Sequence, residues 1–133
     1  MHLIIDGYCT HKELLRDESQ LKLWMLDIAE ILSFHTFGKP QIVDYPFPDR
    51  EGTALSATLF LGESSMTIHT YPEFNFIFID IFHCQNFDAH KALNWIKESL
   101  GLYSLSSFLF ERGLDSTTGK PLITRPLAWS GII

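Results

Sequence analysis

Twelve residues in the middle of the chain, Gly62 to Glu73, bring together Glu63, Ser64, Ser65, Thr67, His69, Thr70 and Glu73. These types supply a hydroxyl nucleophile, an imidazole base and two carboxylates, the parts of acid–base and covalent chemistry. Ser64 follows Gly62 and Glu63 at the head of a strand-like run, where a hydroxyl can be presented. Ser64 and His69 are five residues apart, so on an ideal strand they point to opposite faces. A direct bond between them requires a bend or bulge, which Gly62 and the paired serines allow. Cys84 follows a long apolar run at a turn, where a thiol can be exposed. Each of these has a plainer role: a lone strand His is usually satisfied structurally, and free Cys is among the most buried residue types. Spacing alone leaves catalysis and packing open. His69, His83, Cys84 and His90 are possible metal ligands, but none has Cys-x-x-Cys or His-x-x-x-His spacing, so no metal is expected. There is no phosphate-cradling glycine loop and no Gly-x-Ser-x-Gly elbow.

Apolar runs on both sides must position this stretch. Thr53–Leu61, Ser65–Tyr71 and Phe76–Phe82 read as three successive strands, with Ser56 on the first and Asp80 as the polar exception in the third. The third is apolar on both faces, which places it centrally in a sheet covered on each side. His2–Tyr8, Gln41–Tyr45 and Tyr103–Phe110 read as further strands. Leu21, Trp24, Met25, Ile28, Ile31 and Leu32 follow helical spacing after a capping Asp17, predicting a helix over 18–33. Asn86 or Asp88 caps a second helix, which stops at Gly101. Thr10 and Glu13 have capping-box spacing for a helical turn. Phe47 lies in a loop bracketed by Pro46, Pro48 and Gly52, and by residue type it tucks beneath that loop.

This order predicts an α+β two-layer sandwich, a mostly antiparallel sheet with two main helices on one face. The strand buried on both faces then needs a second cover, and a partner subunit on the open face supplies it, so a homodimer is expected. At 133 residues and 46% hydrophobic content the chain makes one domain with a feasible core. The net charge of −6 argues against nucleic acid or an anionic membrane as main partner. Two cysteines make no disulfide framework, and the N-terminus lacks a signal peptide's basic region, so a cytoplasmic setting is expected. No stretch is long enough to span a membrane. Leu114–Ile133 reads as an apolar arm packed on the body or on a second subunit.

The run Glu63-Ser64-Ser65-Met66-Thr67-Ile68-His69-Thr70-Tyr71-Pro72-Glu73, followed by Phe78-Ile79-Asp80-Ile81-Phe82-His83-Cys84, resembles the prokaryotic S-adenosylmethionine decarboxylase proenzymes. The likeness extends to His2–Tyr8 and Glu111-Arg112-Gly113, making 1–113 the family-like domain and 114–133 the arm. It implies a self-processing, pyruvoyl-dependent decarboxylase of polyamine biosynthesis. The chain is expected to cut itself between Glu63 and Ser64, with Ser64 becoming the pyruvoyl cofactor. The resemblance makes His69 the base in processing, Ser56 the helper serine and Cys84 the proton donor to the decarboxylated carbon. Glu73 holds the substrate ribose, and Tyr71 or a partner subunit's Phe47 stacks on the small-molecule substrate. A pyruvoyl ketone joins an amino-acid substrate as a Schiff base and acts as an electron sink. The chain departs from the family pattern at Ser65 (usually His), Tyr71 (usually Trp) and Gln85 (usually Gly). It also lacks one residue between Tyr8 and Cys9. Arginine or ornithine, used by pyruvoyl enzymes on the same scaffold, are alternative substrates. An inactive dimeric binding module is the alternative of another class.

Overall fold

The structure, a computed structural model, describes residues 1–122 and, as backbone only, 124–126. Seven strands form one sheet: β1 (His2–Cys9), β2 (Phe37–Pro46), β3 (Thr53–Phe60), β4 (Ser65–Tyr71), β5 (Phe76–Phe82), β6 (Leu102–Phe110) and β7 (Thr124–Pro126). Their order across the sheet is β2-β3-β4-β5-β1-β6-β7, and every neighbouring pair is antiparallel. Two helices, α1 (Glu18–Ile31) and α2 (Ala89–Leu100), complete the α+β sandwich.

Strict alternation builds the core. Leu3 and Ile5 of β1, Met66 and Ile68 of β4, and Ile77, Ile79 and Ile81 of β5 are fully buried against Leu21, Met25 and Ile28 of α1 and Ala92 and Ile96 of α2. Both helices start where the sequence predicts. Asp17 accepts from the Gln20 amide at 3.1 Å and Asp88 from the Lys91 amide at 2.9 Å, so Asp88 rather than Asn86 is the cap.

Three expectations need correction. Helix α1 ends at Ile31, and Ser33 takes a left-handed φ of 58° instead of continuing it. Strand β2 begins at Phe37, because a register irregularity between Phe37 and Gln41 absorbs Gly38 and Pro40. Thr10 forms no capping box: the 3₁₀ turn Glu13–Leu15 starts after Lys12 without a side-chain cap, and the Thr10 hydroxyl donates to the Gly101 carbonyl at 3.0 Å. Strand β5 is central and helices cover one side of it, both as expected, and Phe78 is exposed on the other side.

Gly101 ends α2 with φ of 60°, and a Cβ there would collide with the Thr10 side chain. Gly101→Ala is expected to cost about 1–3 kcal/mol from left-handed strain and that clash. The check is a lower urea midpoint with an unchanged slope.

Of the expected arm, Leu114 bridges to Pro121, and β7 pairs with the outer edge of β6. Ile123 and 127–133, which include Trp129 and Ile132, lie outside the described residues.

Candidate active site

The helix-free face of the sheet is a grid set by register. One row runs Gln41, Thr58, Thr67, Asp80, Ile4, Phe108, and the next runs Val43, Ser56, His69, Phe78, Asp6, Ser106. Ser56 and His69 are therefore direct cross-strand partners, and Ser56 Oγ lies 2.8 Å from His69 Nδ1. When Nδ1 carries the proton it donates to Ser56 Oγ and leaves Nε2 as the basic atom. Polar pairs recur nearby: His2 Nε2 stands 2.9 Å from Asp80 Oδ1. Burial first, and the charge of Asp80 second, raise the Asp6 carboxyl above its ordinary range. Its protonated form is favoured by folding, so its contribution is present below that range and is lost as pH rises through the shifted value.

Ser64 sits elsewhere. Strands β3 and β4 form a hairpin whose last cross-strand pair is Phe60 with Ser65. The Leu61 amide then donates to the Ser64 carbonyl at 2.8 Å, leaving Gly62 and Glu63 as a two-residue loop. Gly62 takes φ of 75°, a conformation that glycine adopts without steric cost at the first position of such loops. Glu63 is exposed while Ser64 is only 3% exposed, so the Glu63–Ser64 peptide crosses from solvent into the body. The Ser64 hydroxyl accepts from the Cys84 backbone amide at 2.8 Å. That amide is aimed by the turn after β5. His83 stacks on Phe34 with ring centroids 4.3 Å apart, and its Nδ1 accepts from the Gln85 amide at 3.1 Å. The Cys84 side chain is exposed beside Ser64, whereas burial pushes the Cys9 thiol up to about 12 and removes it from acid–base chemistry.

The sequence-predicted residues thus gather into two clusters. Ser64, Glu63 and Cys84 share one end of the sheet. Ser56 and His69 share another, with Glu73 and Tyr71 beyond them. Four residues of strand separate Ser65 from His69, about 14 Å at the usual rise. Strand β4 pairs regularly throughout, so no bulge brings His69 to Ser64 within one chain.

At the His69 end an open cavity of about 450 Å³ is lined by Tyr8, Arg50, Tyr71, Phe74, Phe76 and Phe78. Phe47 is half-buried in its loop, with the Arg50 guanidinium 3.9 Å from its ring centroid. Arg50 Nε also lies 3.4 Å from Glu73 Oε1. Sequence reasoning missed Arg50, since an arginine in a Pro-rich loop carries no spacing signal. It also missed His2 and Arg112, which line a cavity of about 300 Å³ with Ser65, Thr67, Asp80 and Phe82. The polar break at Asp80 in an apolar strand was the available signal for that site. Among the described residues no three His, Cys, Asp or Glu side chains gather as metal ligands.

Compared with known proteins, residues 1–113 match the S-adenosylmethionine decarboxylase family. The chain belongs to that family. It is 34% identical over 101 residues to an S-adenosylmethionine decarboxylase proenzyme of Clostridium botulinum, covering 74% of this chain and 81% of that one. A proenzyme of the same description from Caldicellulosiruptor saccharolyticus is 29% identical over 121 residues, 85% of this chain and 87% of that one. In fold it resembles the crystal structure of an adenosylmethionine decarboxylase from Aquifex aeolicus, with a TM-score of 0.68, 18% identity, and coverage of 87% of this chain and 92% of that one. Both clusters lie inside the span matched by the S-adenosylmethionine decarboxylase family, and the match ends at Gly113. The family's sandwich therefore carries both clusters, and Leu114–Ile133 lies outside the match.

Proposed function

We propose that this protein is a self-processing, pyruvoyl-dependent decarboxylase that acts on S-adenosylmethionine and serves polyamine biosynthesis in the cytoplasm. One observation carries the reading: a buried serine hydroxyl, one residue past an exposed hairpin loop, is held by the backbone amide of an exposed cysteine. The order of residues suits self-cleavage. Ser64 Oγ attacks the Glu63 carbonyl carbon, the C–N bond breaks, and the hydroxyl proton passes to the departing nitrogen, leaving an ester. A base removes the Cα proton of residue 64, and the Cβ–Oγ bond breaks to release Glu63 as a carboxylate. Water then replaces the nitrogen of the resulting dehydroalanine, and ammonia leaves. His69 Nε2 is the base, with Nδ1 held by Ser56 Oγ.

The residues present fit the resulting group, since Ser64 is buried beside a thiol and, among the described residues, its hydroxyl is bonded to the Cys84 amide alone. The pyruvoyl group would supply an electron-withdrawing carbonyl for the substrate's amino group. Cys84 Sγ delivers a proton to the substrate carbon once carbon dioxide has left. Glu73 and the ring wall of Tyr71 and Phe47 orient the rest of the substrate.

Since His69 and Ser64 are five residues apart on an extended strand, about 17 Å, the reading includes a homodimer in which one copy's His69 serves the other's Ser64. The helix-free face supports this: Phe60, Phe78 and Phe108 stand exposed on it, and such a face calls for a cover. Stacking two copies face to face with strands reversed brings the His69 end of one over the Ser64 end of the other.

The test is carbon dioxide release by the purified protein from S-adenosylmethionine, arginine and ornithine. Release from S-adenosylmethionine alone is expected, and release only from arginine or ornithine overturns the substrate. Cys84→Ala is expected to self-cleave normally, because the bond to Ser64 comes from the backbone amide. Its decarboxylation should fall about 10²–10⁴-fold, the usual worth of a positioned proton donor. Gel mobility and turnover assays read the two effects separately.

A further inference from the structure

The loop between β2 and β3 is closed at its neck by the Phe47 amide donating to the Gly52 carbonyl at 3.1 Å. Gly52 takes φ of 104°, and a Cβ there would lie 2.9 Å from the Glu73 carboxylate. Backbone and carboxylate are thus fitted together, and the loop tip turns back over Glu73. At that tip the Arg50 guanidinium lies 3.9 Å from the Phe47 ring centroid, 5.8 Å from that of Phe74, and, through Nε, 3.4 Å from Glu73 Oε1. Arg50 Nη1 also lies 3.4 Å from Oδ1 of the neighbouring, largely exposed Asp49. Two ring faces and the carboxylate of Glu73, with that of Asp49 at the loop tip, around one positive centre make a cation subsite. The same guanidinium walls the aromatic cavity shared with Tyr71 and Tyr8.

We propose that Arg50 is a specificity-determining residue: its guanidinium fills a cation subsite formed by Phe47, Phe74 and Glu73, and a sulfonium or ammonium group of the substrate displaces it. The proposal rests on the reading above that this end of the sheet takes a cationic small molecule. The contact is built to exchange. The Arg50 side chain is 42% exposed and that of Glu73 31%, so solvent screens their attraction. The neck of the loop is hydrogen-bonded, so the side chain alone swings away. Arg50 thereby sets a threshold: an entering group must compete for the carboxylate and the rings, which a neutral group does poorly.

The test titrates trimethylsulfonium chloride, and neutral dimethyl sulfide as its control, into the full-length chain and its Arg50→Ala and Arg50→Lys variants. Ring signals of Phe47 and Phe74 are followed by NMR. Arg50→Ala is expected to bind the cation about two- to fivefold more tightly than the unsubstituted chain, the order of an exposed cation–ring contact. Arg50→Lys should gain less, and dimethyl sulfide should show no gain. Equal cation affinity in the unsubstituted and Arg50→Ala chains overturns the proposal. So does an equal gain for dimethyl sulfide, which would make Arg50 a steric plug only. S-adenosylmethionine is titrated in parallel into chains carrying Ser64→Ala, which cannot turn it over. If the sulfonium ion gains affinity in Arg50→Ala while S-adenosylmethionine binds neither chain, the substrate reading falls and the role of Arg50 stands.

Discussion

A Ser64→Ala chain is expected to remain a single piece of 15.3 kDa, while the unsubstituted protein separates into residues 1–63 and a larger piece blocked at residue 64. Alanine removes the oxygen that attacks the Glu63 carbonyl, and with it every later step, so cleavage should fall below detection. Intact-mass measurement after prolonged incubation checks this. Ser65→Ala is the matching control. Ser65 lies on the open face in register with Phe60 and Phe82, one residue beyond the bond to be cut, and its loss should leave cleavage in place. Alanine at 64 also removes the acceptor of the Cys84 amide, a cost of about 0.5–1.5 kcal/mol for a part-buried hydrogen bond. The variant should therefore melt somewhat earlier yet remain folded, so an intact mass from a folded chain reads chemistry rather than collapse. Cleavage of Ser64→Ala would remove Ser64 from the reaction altogether.

Two uncleavable chains are expected to rescue each other. His69→Ala alone should not complete cleavage, since elimination needs a base at the Cα proton of residue 64. In a dimer whose sites combine Ser64 of one copy with His69 of the other, pairing Ser64→Ala with His69→Ala rebuilds one of two sites. That site consists of Ser64 on the His69→Ala chain and His69 on the Ser64→Ala chain. Co-expression with different affinity tags should give cleavage of the His69→Ala chain only, in up to half of the sites of mixed dimers. If neither chain is cut although mixed dimers form, His69 acts within its own chain. The roughly 17 Å between Ser64 and His69 along the extended chain must then be closed by a rearrangement of that strand. The effect is all-or-none on the tagged chain, so it does not depend on small differences in rate.

The processing residues and the rescue differ in how they appear in a sequence. Alternation in β4 and β5 is legible because a residue's face on a strand depends only on parity, and parity survives any tertiary context. Both strands therefore have the bounds their composition predicts, Ser65–Tyr71 and Phe76–Phe82. The cap Asp17 and the stop at Gly101 were legible for the same local reason, while the choice of Asp88 over Asn86 was left to the structure. Parity also placed Ser64 and His69 on opposite faces. What it could not supply was their true partners, the Cys84 amide and the Ser56 hydroxyl, since hairpin register and the β5 turn decide those.

Where local rules failed, a distant contact had won. Thr10 has the spacing of a cap, but its hydroxyl reaches Gly101, 91 residues away. Gly38 and Pro40 read as breakers, yet strand pairing with β3 tolerates them through an irregular register. Arg50 had no signature, because its significance comes from the Glu73 carboxylate, which a separate element brings against the loop that carries Arg50 and Phe47. By itself the sequence determined the two-layer sandwich, the two strands on either side of Glu63 and Ser64, and the residue types of the proposed chemistry, all of which follow from periodicity and short motifs. Only the tertiary structure decided that Ser64 keeps company with Cys84 while His69 keeps company with Ser56. A strand extends about 3.3 Å per residue, so side chains close in sequence end far apart, and only cross-strand register determines which of them meet.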